Sequence, residues 1–162
     1  MATEISTQIE FPANPKRTAE MFCAESYLKL KCSEHAHSAF SVKTDGSTTE
    51  VTCERTFNDI PDTFKTFVGS ELTLIEFQSW NVNDEGFHRC DVSITVSEKP
   101  VSITGTITLE PHGSGTRLNL DGVVKVEIPL FGGMIEGLVR DHVNEILQDE
   151  QAIGLQWLSE NH

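Results

Sequence analysis

The stretch "VEIPLFGGMIEGLVRDHVNEIL", Val126 to Leu147, joins an alternating apolar run to a helical one through a proline and two glycines. Before Pro129, the residues Leu118, Leu120, Gly122, Val124, Val126 and Ile128 occupy every second position, the period of a strand with one face on a core. After it, a turn of 100° per residue puts Ile135, Leu138, Val139, His142, Ile146, Ile153 and Trp157 on one stripe of a helix from Met134 to about Trp157. Pro129 stops the ladder of hydrogen bonds, and Gly132-Gly133 read as the turn that sends the helix back over the sheet. Such a stretch can be a membrane or partner contact, the lid of a cavity, or core. An interfacial helix needs a polar face rich in Lys and Arg. Here Arg140 is the only such cation in Met134–Trp157, against Glu136, Asp141, Glu145, Asp149 and Glu150. Membrane insertion is not expected either: Ile128–Val139 is broken by Gly132, Gly133, Glu136 and Gly137, and a spanning helix takes about 20 apolar residues.

Working outward, Val101–Glu110 and Thr116–Ile128 form two long strands around the turn "PHGSG". Their inward rows are Ile103, Gly105, Ile107, Leu109 and Leu118 to Ile128, with Gly105 and Gly122 read as points where the sheet bends. Upstream, Thr3–Phe11 alternates as a first strand. The segment Ala13–Cys32 holds two short helices broken near Cys23–Glu25, the first capped by Asn14 with Pro15 at its first position. Ala39–Thr44 and Thr48–Asn58 are strands across "DGS", "IPDTFKTFVG" is a turn plus short helix, and Ser70–Asn81 and Phe87–Ser97 are strands across "NDEG". The order is strand, two helices, six strands, long helix. It predicts one α+β domain over residues 1–162, an antiparallel sheet with its helices on one side.

Composition limits the function. With 12 Lys+Arg against 25 Asp+Glu, the net charge of −13 repels phosphate backbones, so no nucleic-acid partner is expected. The chain opens on "MATEISTQIEF", which alternates like a strand and has no charged, apolar leader; a soluble, cytoplasmic protein is expected. Cys23, Cys32, Cys53 and Cys90 then read as free thiols. "CSEHAH", Cys32 to His37, with Cys23 as a further ligand, invites a metal reading, but the two thiols lack the paired spacing of zinc sites, and neither metal nor cofactor is expected. No GxSxG elbow is present.

The informative residues are polar ones sharing an apolar parity. Arg55 falls in the row Val51, Cys53, Arg55, Phe57; Glu76 in Leu72, Leu74, Glu76, Gln78, Trp80; His88 with Cys90, Val92, Ile94 and Val96. Arg55 and Glu76 lie on consecutive strands, where they meet across the ladder as a pocket anchor or as a salt bridge on the rim. Ile75 and Phe77 are the alternative inward pair of that strand. His142 is a cavity-lining group or a hydrogen-bonded core residue. The candidate ligand-binding set is Arg55, Glu76, His88, His142, Trp80, Leu138 and Ile135, a few polar anchors on apolar walls. No catalytic residue is assigned.

This layout, with Gly105-Thr106…Leu109, Ile128-Pro129-Leu130, Gly132-Gly133 and "IEGLVRDHVNEIL", resembles the START-like (SRPBCC) helix-grip superfamily, and within it an uncharacterised bacterial branch. The resemblance covers nearly the whole chain in layout, and its specific motifs lie from Gly105 onward. It implies a seven-stranded antiparallel sheet curled around a long C-terminal helix, with an apolar cavity between them. Relatives include lipid and hormone binders, aromatic polyketide cyclases and co-chaperone-like modules, and the fold does not choose among them. Three functions follow: a non-catalytic carrier or sensor of a hydrophobic small molecule, an enzyme acting on an aromatic or polyketide substrate through Glu76, His88 or His142, and a protein-interaction module with a filled cavity. The oligomeric state is left open.

Overall fold

Asn14 sets the first corner of the molecule. Its side chain accepts a hydrogen bond of 2.8 Å from the backbone N–H of Arg17, and Pro15 opens the helix behind it. The computed structural model describes residues 2–33, 35, 37–82 and 88–161. Along them run β1 (Ala2–Phe11), α1 (Pro15–Cys23), α2 (Glu25–Cys32), β2 (His37–Asp45), β3 (Thr48–Phe57), α3 (Asp62–Val68), β4 (Leu72–Val82), β5 (His88–Val96), β6 (Val101–His112), β7 (Gly115–Val126) and α4 (Gly132–Glu160). The expected "NDEG" turn at 83–86, Phe87, and Glu34 and Ala36 of "CSEHAH" lie outside the described residues.

Among the described residues seven strands form one antiparallel sheet in the order β1-β7-β6-β5-β4-β3-β2. The fold is thus the α+β helix grip expected from the sequence, a sheet gripping the long α4, with α1 and α2 after the first strand. The parity readings of β6 and β7 agree with burial: Ile107, Leu109, Leu118, Leu120, Val124 and Val126 are buried, while Thr104, Thr108 and Asp121 are exposed. Gly105 faces Gly122 in register, and a Cβ on either would lie 2.7 or 2.5 Å from a carbonyl oxygen of the neighbouring strand. The paired glycines mark a close approach that no side chain fits.

The turn into α4 differs from the sequence reading. The helix starts at Gly132, and the residue in the left-handed region is Leu130, with φ +72° and 98% exposed. Gly132 is dictated by crowding, because a Cβ there would sit 2.3 Å from the Val126 carbonyl oxygen. Glu136 then turns inward, accepting from the Val126 backbone N–H and the Thr3 hydroxyl, both at 2.9 Å.

The two ends of the grip are closed differently. At one end, α1 packs against β5, β6 and β7, and Phe11, Met21, Phe22, Tyr27, Trp80, Leu109, Leu118 and Trp157 are all buried. The chain brings α3, the start of β4, the end of β5, the start of β6 and the first turns of α4 to the opposite end. There α3 carries no buried residue. No helix among the described residues is long and apolar enough to cross a membrane.

Candidate functional site

The middle of the concave face holds a buried cluster of charge. Parity aims Glu76 inward on β4, and the register sets it opposite Cys53 of β3 and Ile94 of β5. Arg55, diagonal to it on β3, brings Nη2 to 3.5 Å from Glu76 Oε1. Glu76 is buried and Phe77 exposed, so the inward pair is not Ile75 and Phe77.

The principal partner of Glu76 is one that the sequence reading missed. Lys31, on α2 and 3% exposed, donates from Nζ to both Glu76 oxygens at 3.2 and 3.1 Å. The same ammonium lies 2.9 Å from Glu150 Oε1 on α4, which also accepts a 2.6 Å bond from the Tyr27 hydroxyl. On the other side Gln78 donates its amide to Glu76, and the Trp80 indole N–H donates to Gln78 Oε1 at 2.9 Å. Lys31 and Arg55 balance Glu76 and Glu150, and the neutral cluster ties α2, α4, β3 and β4 together. A signal for Lys31 was present: it follows Tyr27 by four residues and Leu28 by three, and that face of α2 is the buried one.

The charges hold one another ionised. Burial alone would drive the Glu76 carboxyl toward neutrality, but the cations of Lys31 and Arg55 outweigh it and hold its pKa below the usual range. Burial likewise pulls the Lys31 ammonium down, and Glu150 and Glu76 override it, leaving its pKa raised. The Tyr27 hydroxyl is pushed well up by burial and by Glu150.

Arg55 differs from Lys31 in having capacity left. Its side chain is 13% exposed, and its cation lies 5.2 Å from the Phe57 ring centroid. Among the described residues its polar partner is Glu76, at the long distance of 3.5 Å. A guanidinium carries five N–H donors in a fixed fork, so most of them are open to an acceptor.

Toward the α3 end the concave face becomes apolar and partly open. Leu74, Ile94 and Ile103 are half-buried, although they sit in the middle strands of the sheet. Phe64 and Phe67 of α3 and Leu138, Val139 and His142 of α4 are half-buried as well. Phe64 meets the His142 ring at 5.5 Å between centroids, and Phe67 meets Phe131 at 5.8 Å. His142 Nδ1 lies 2.7 Å from the Leu138 carbonyl oxygen.

The remaining candidates are Trp80, Ile135 and His88. Trp80 is stacked on Phe22 at 5.5 Å in the closed end, and Ile135 is buried in the core. His88 is six positions along β5 from Ile94, about 20 Å at the rise of a strand, near Glu20 and Lys16 of α1. Burial lowers its pKa, and its Nδ1 has no partner among the described residues. The structure thus brings Arg55 and Glu76 together, joins Trp80 to them through Gln78, and sets His142 against Phe64 and the Leu138 carbonyl. Two polar surface grooves, of about 490 Å³ between β1 and α4 and about 360 Å³ beside the β6–β7 turn, are lined by none of the candidates.

Comparison with known proteins fits this architecture. A family model described as "Protein of unknown function (DUF2505)" matches residues 6–158. An uncharacterised protein of Mycobacterium tuberculosis is 26% identical over 93 residues, which span 56% of this chain and only 53% of that relative. Among solved structures, the protein TTHA0849 from Thermus thermophilus superposes with a TM-score of 0.63 at 21% identity, covering 99% of this chain and 100% of that one. A STAR-related lipid transfer protein from Xanthomonas axonopodis gives 0.62 at 13% identity over 96% and 85%. The Zhui aromatase/cyclase of Streptomyces gives 0.52 at 10% over 96% and 90%. At these identities the likeness is one of fold, and the fold is START-like.

Proposed function

The chain belongs to the DUF2505 family, and we propose that it binds one hydrophobic small molecule between the sheet and α4, as a carrier or sensor without turnover. The observation that carries this reading is the unequal closure of the grip. Leu74, Ile94 and Ile103 stay half-buried in the centre of the sheet, above a charge cluster whose Arg55 keeps donors in reserve. Apolar walls with one oriented donor group suit an elongated or ringed apolar molecule ending in a hydrogen-bond acceptor. The Xanthomonas neighbour, by name a lipid transfer protein, agrees with such cargo. Leu138 and His142 line the mouth in this reading, with α3 as its movable edge.

Carriage is favoured over catalysis by the state of Glu76. Pinned between Lys31 and Arg55 it is a fixed anion, and an acid catalyst needs a carboxyl poised near neutrality. A filled interaction module is disfavoured by the half-buried apolar residues at the α3 end. Four unpaired thiols suit a reducing, cytoplasmic setting. Saturable binding of cis-parinaric acid, a fluorescent apolar chain ending in a carboxylate, at one molecule per chain tests the reading.

A further inference from the structure

Two of the four thiols face each other. Cys32 Sγ and Cys53 Sγ are 3.5 Å apart, both buried, on α2 and β3. We propose that this pair is a site of covalent modification, where oxidation forms an intramolecular disulfide that pins α2 to β3 beside the charge cluster. The sulfurs need to approach by only about 1.5 Å to reach bonding distance. Cys32 is the last residue of α2, a helix end that frays most easily and so admits a small reagent. The other two cysteines are placed differently: Cys90 Sγ lies 3.6 Å from the Asp91 carbonyl, and Cys23 ends α1.

The oxidant is a low-molecular-weight disulfide. The thiolate of one cysteine attacks a reagent sulfur, forming a mixed disulfide and expelling one reagent thiolate. The second cysteine then loses its proton to solvent and attacks the protein sulfur of the mixed disulfide, expelling the second reagent thiolate. Two protein thiols are oxidised and the reagent disulfide is reduced to two thiols. Burial pushes the Cys53 thiol up to about 12, so Cys53 suits the resolving step, where its neighbour is already in contact, better than the first attack.

The position gives the bond a consequence. Lys31 precedes Cys32 in the chain, and Cys53 stands opposite Glu76 in register. The disulfide joins α2 to the sheet beside the Lys31–Glu76 ion pair that already holds them together, and it closes a loop in the unfolded chain. The inference is independent of the ligand.

The test is incubation of the folded, full chain with oxidised glutathione, followed by intact mass and peptide mapping. The expected result is loss of two hydrogens, a crosslinked peptide containing Cys32 and Cys53, and a Tm higher by roughly 5–10 °C, reversed by dithiothreitol. Retention of all four thiols, arrest at a glutathione adduct, or a bond to Cys23, Cys90 or a second chain would overturn it. In Cys53→Ala the crosslink and the rise in Tm both vanish. If that variant fails to fold, Cys32→Ser, at the helix end, gives the same reading, and a Tm that still rises in it would contradict the proposal.

Discussion

At the scale of single residues the molecule turns on Lys31. An ammonium this deeply buried persists because Glu76 and Glu150 take its hydrogen bonds, and removing it strands two carboxylates without that cation. Lys31→Met is expected to lower stability by about 3–5 kcal/mol, read from the midpoint of urea unfolding at neutral pH. The cluster also sets a pH signature. The depressed Glu76 carboxyl contributes stability above the ordinary carboxylate range, near 4.5, and loses it as pH falls through its folded value. The raised Lys31 ammonium contributes fully below its ordinary pKa of about 10.4, and that contribution is lost as pH rises beyond it. Burial also lowers the His88 imidazole from 6.5 and raises the Cys23, Cys53 and Cys90 thiols from 9.0, so the unfolded chain gains on protonating the one and ionising the others. Unfolding free energy should therefore be flattest between about pH 6.5 and 9 and fall on both sides. Urea denaturation across pH checks this: in Glu76→Gln the acid slope should flatten, and an unchanged slope would assign it to other carboxylates. Arg55 and Glu76 were legible in the sequence because strand parity has a period of two and each interrupts an apolar row. Lys31 was harder to see, because "LKLK" in a short helix reads as surface alternation until Tyr27 and Leu28 are placed one turn before it.

At the scale of elements the sequence located every strand and helix of the described residues to within a few positions, because turns, caps and parity agreed along the chain. The orientation of α4 was less legible. The expected stripe passed through His142 and Ile146, yet Ile146 is 55% exposed and the buried line runs through Ile135, Glu136, Val143, Gly154 and Trp157. The rotation has a physical cause. Glu136 and Glu150 counted as solvent-facing in an apolar stripe, whereas Thr3 and the Val126 N–H take up one and Tyr27 and Lys31 the other. A hydrophobic pattern cannot register carboxylates whose side-chain partners lie more than a hundred residues away. The start of α4 offers a paired test. Gly133→Ala meets nothing within 4 Å and should gain up to about 1 kcal/mol from helix propensity, whereas Gly132→Ala, whose Cβ would lie 2.3 Å from the Val126 carbonyl oxygen, should lose about 1–3 kcal/mol. Thermal melts of the two variants decide it; equal shifts would mean that the strand-to-helix turn yields readily.

At the scale of the whole molecule, a curved sheet gripping one helix leaves a choice about what fills the concavity. Here aromatic side chains from α1, β1, β4 and α4 fill one end, the charge cluster forms a floor, and the α3 end is left thinly covered. That asymmetry follows from topology, since α1 packs on β5, β6 and β7 at one end while the seven residues of α3, none of them buried, meet the first turns of α4 at the other. The most direct test is fluorescence titration of the full chain with cis-parinaric acid, set beside Ile94→Trp, which fills the half-buried centre, and Arg55→Met, which removes the spare donors. The account predicts one saturable site per chain, abolished by Ile94→Trp and weakened about tenfold by Arg55→Met while the fold, followed by circular dichroism, is kept. Absence of saturable binding, or an affinity that neither substitution changes, would contradict it.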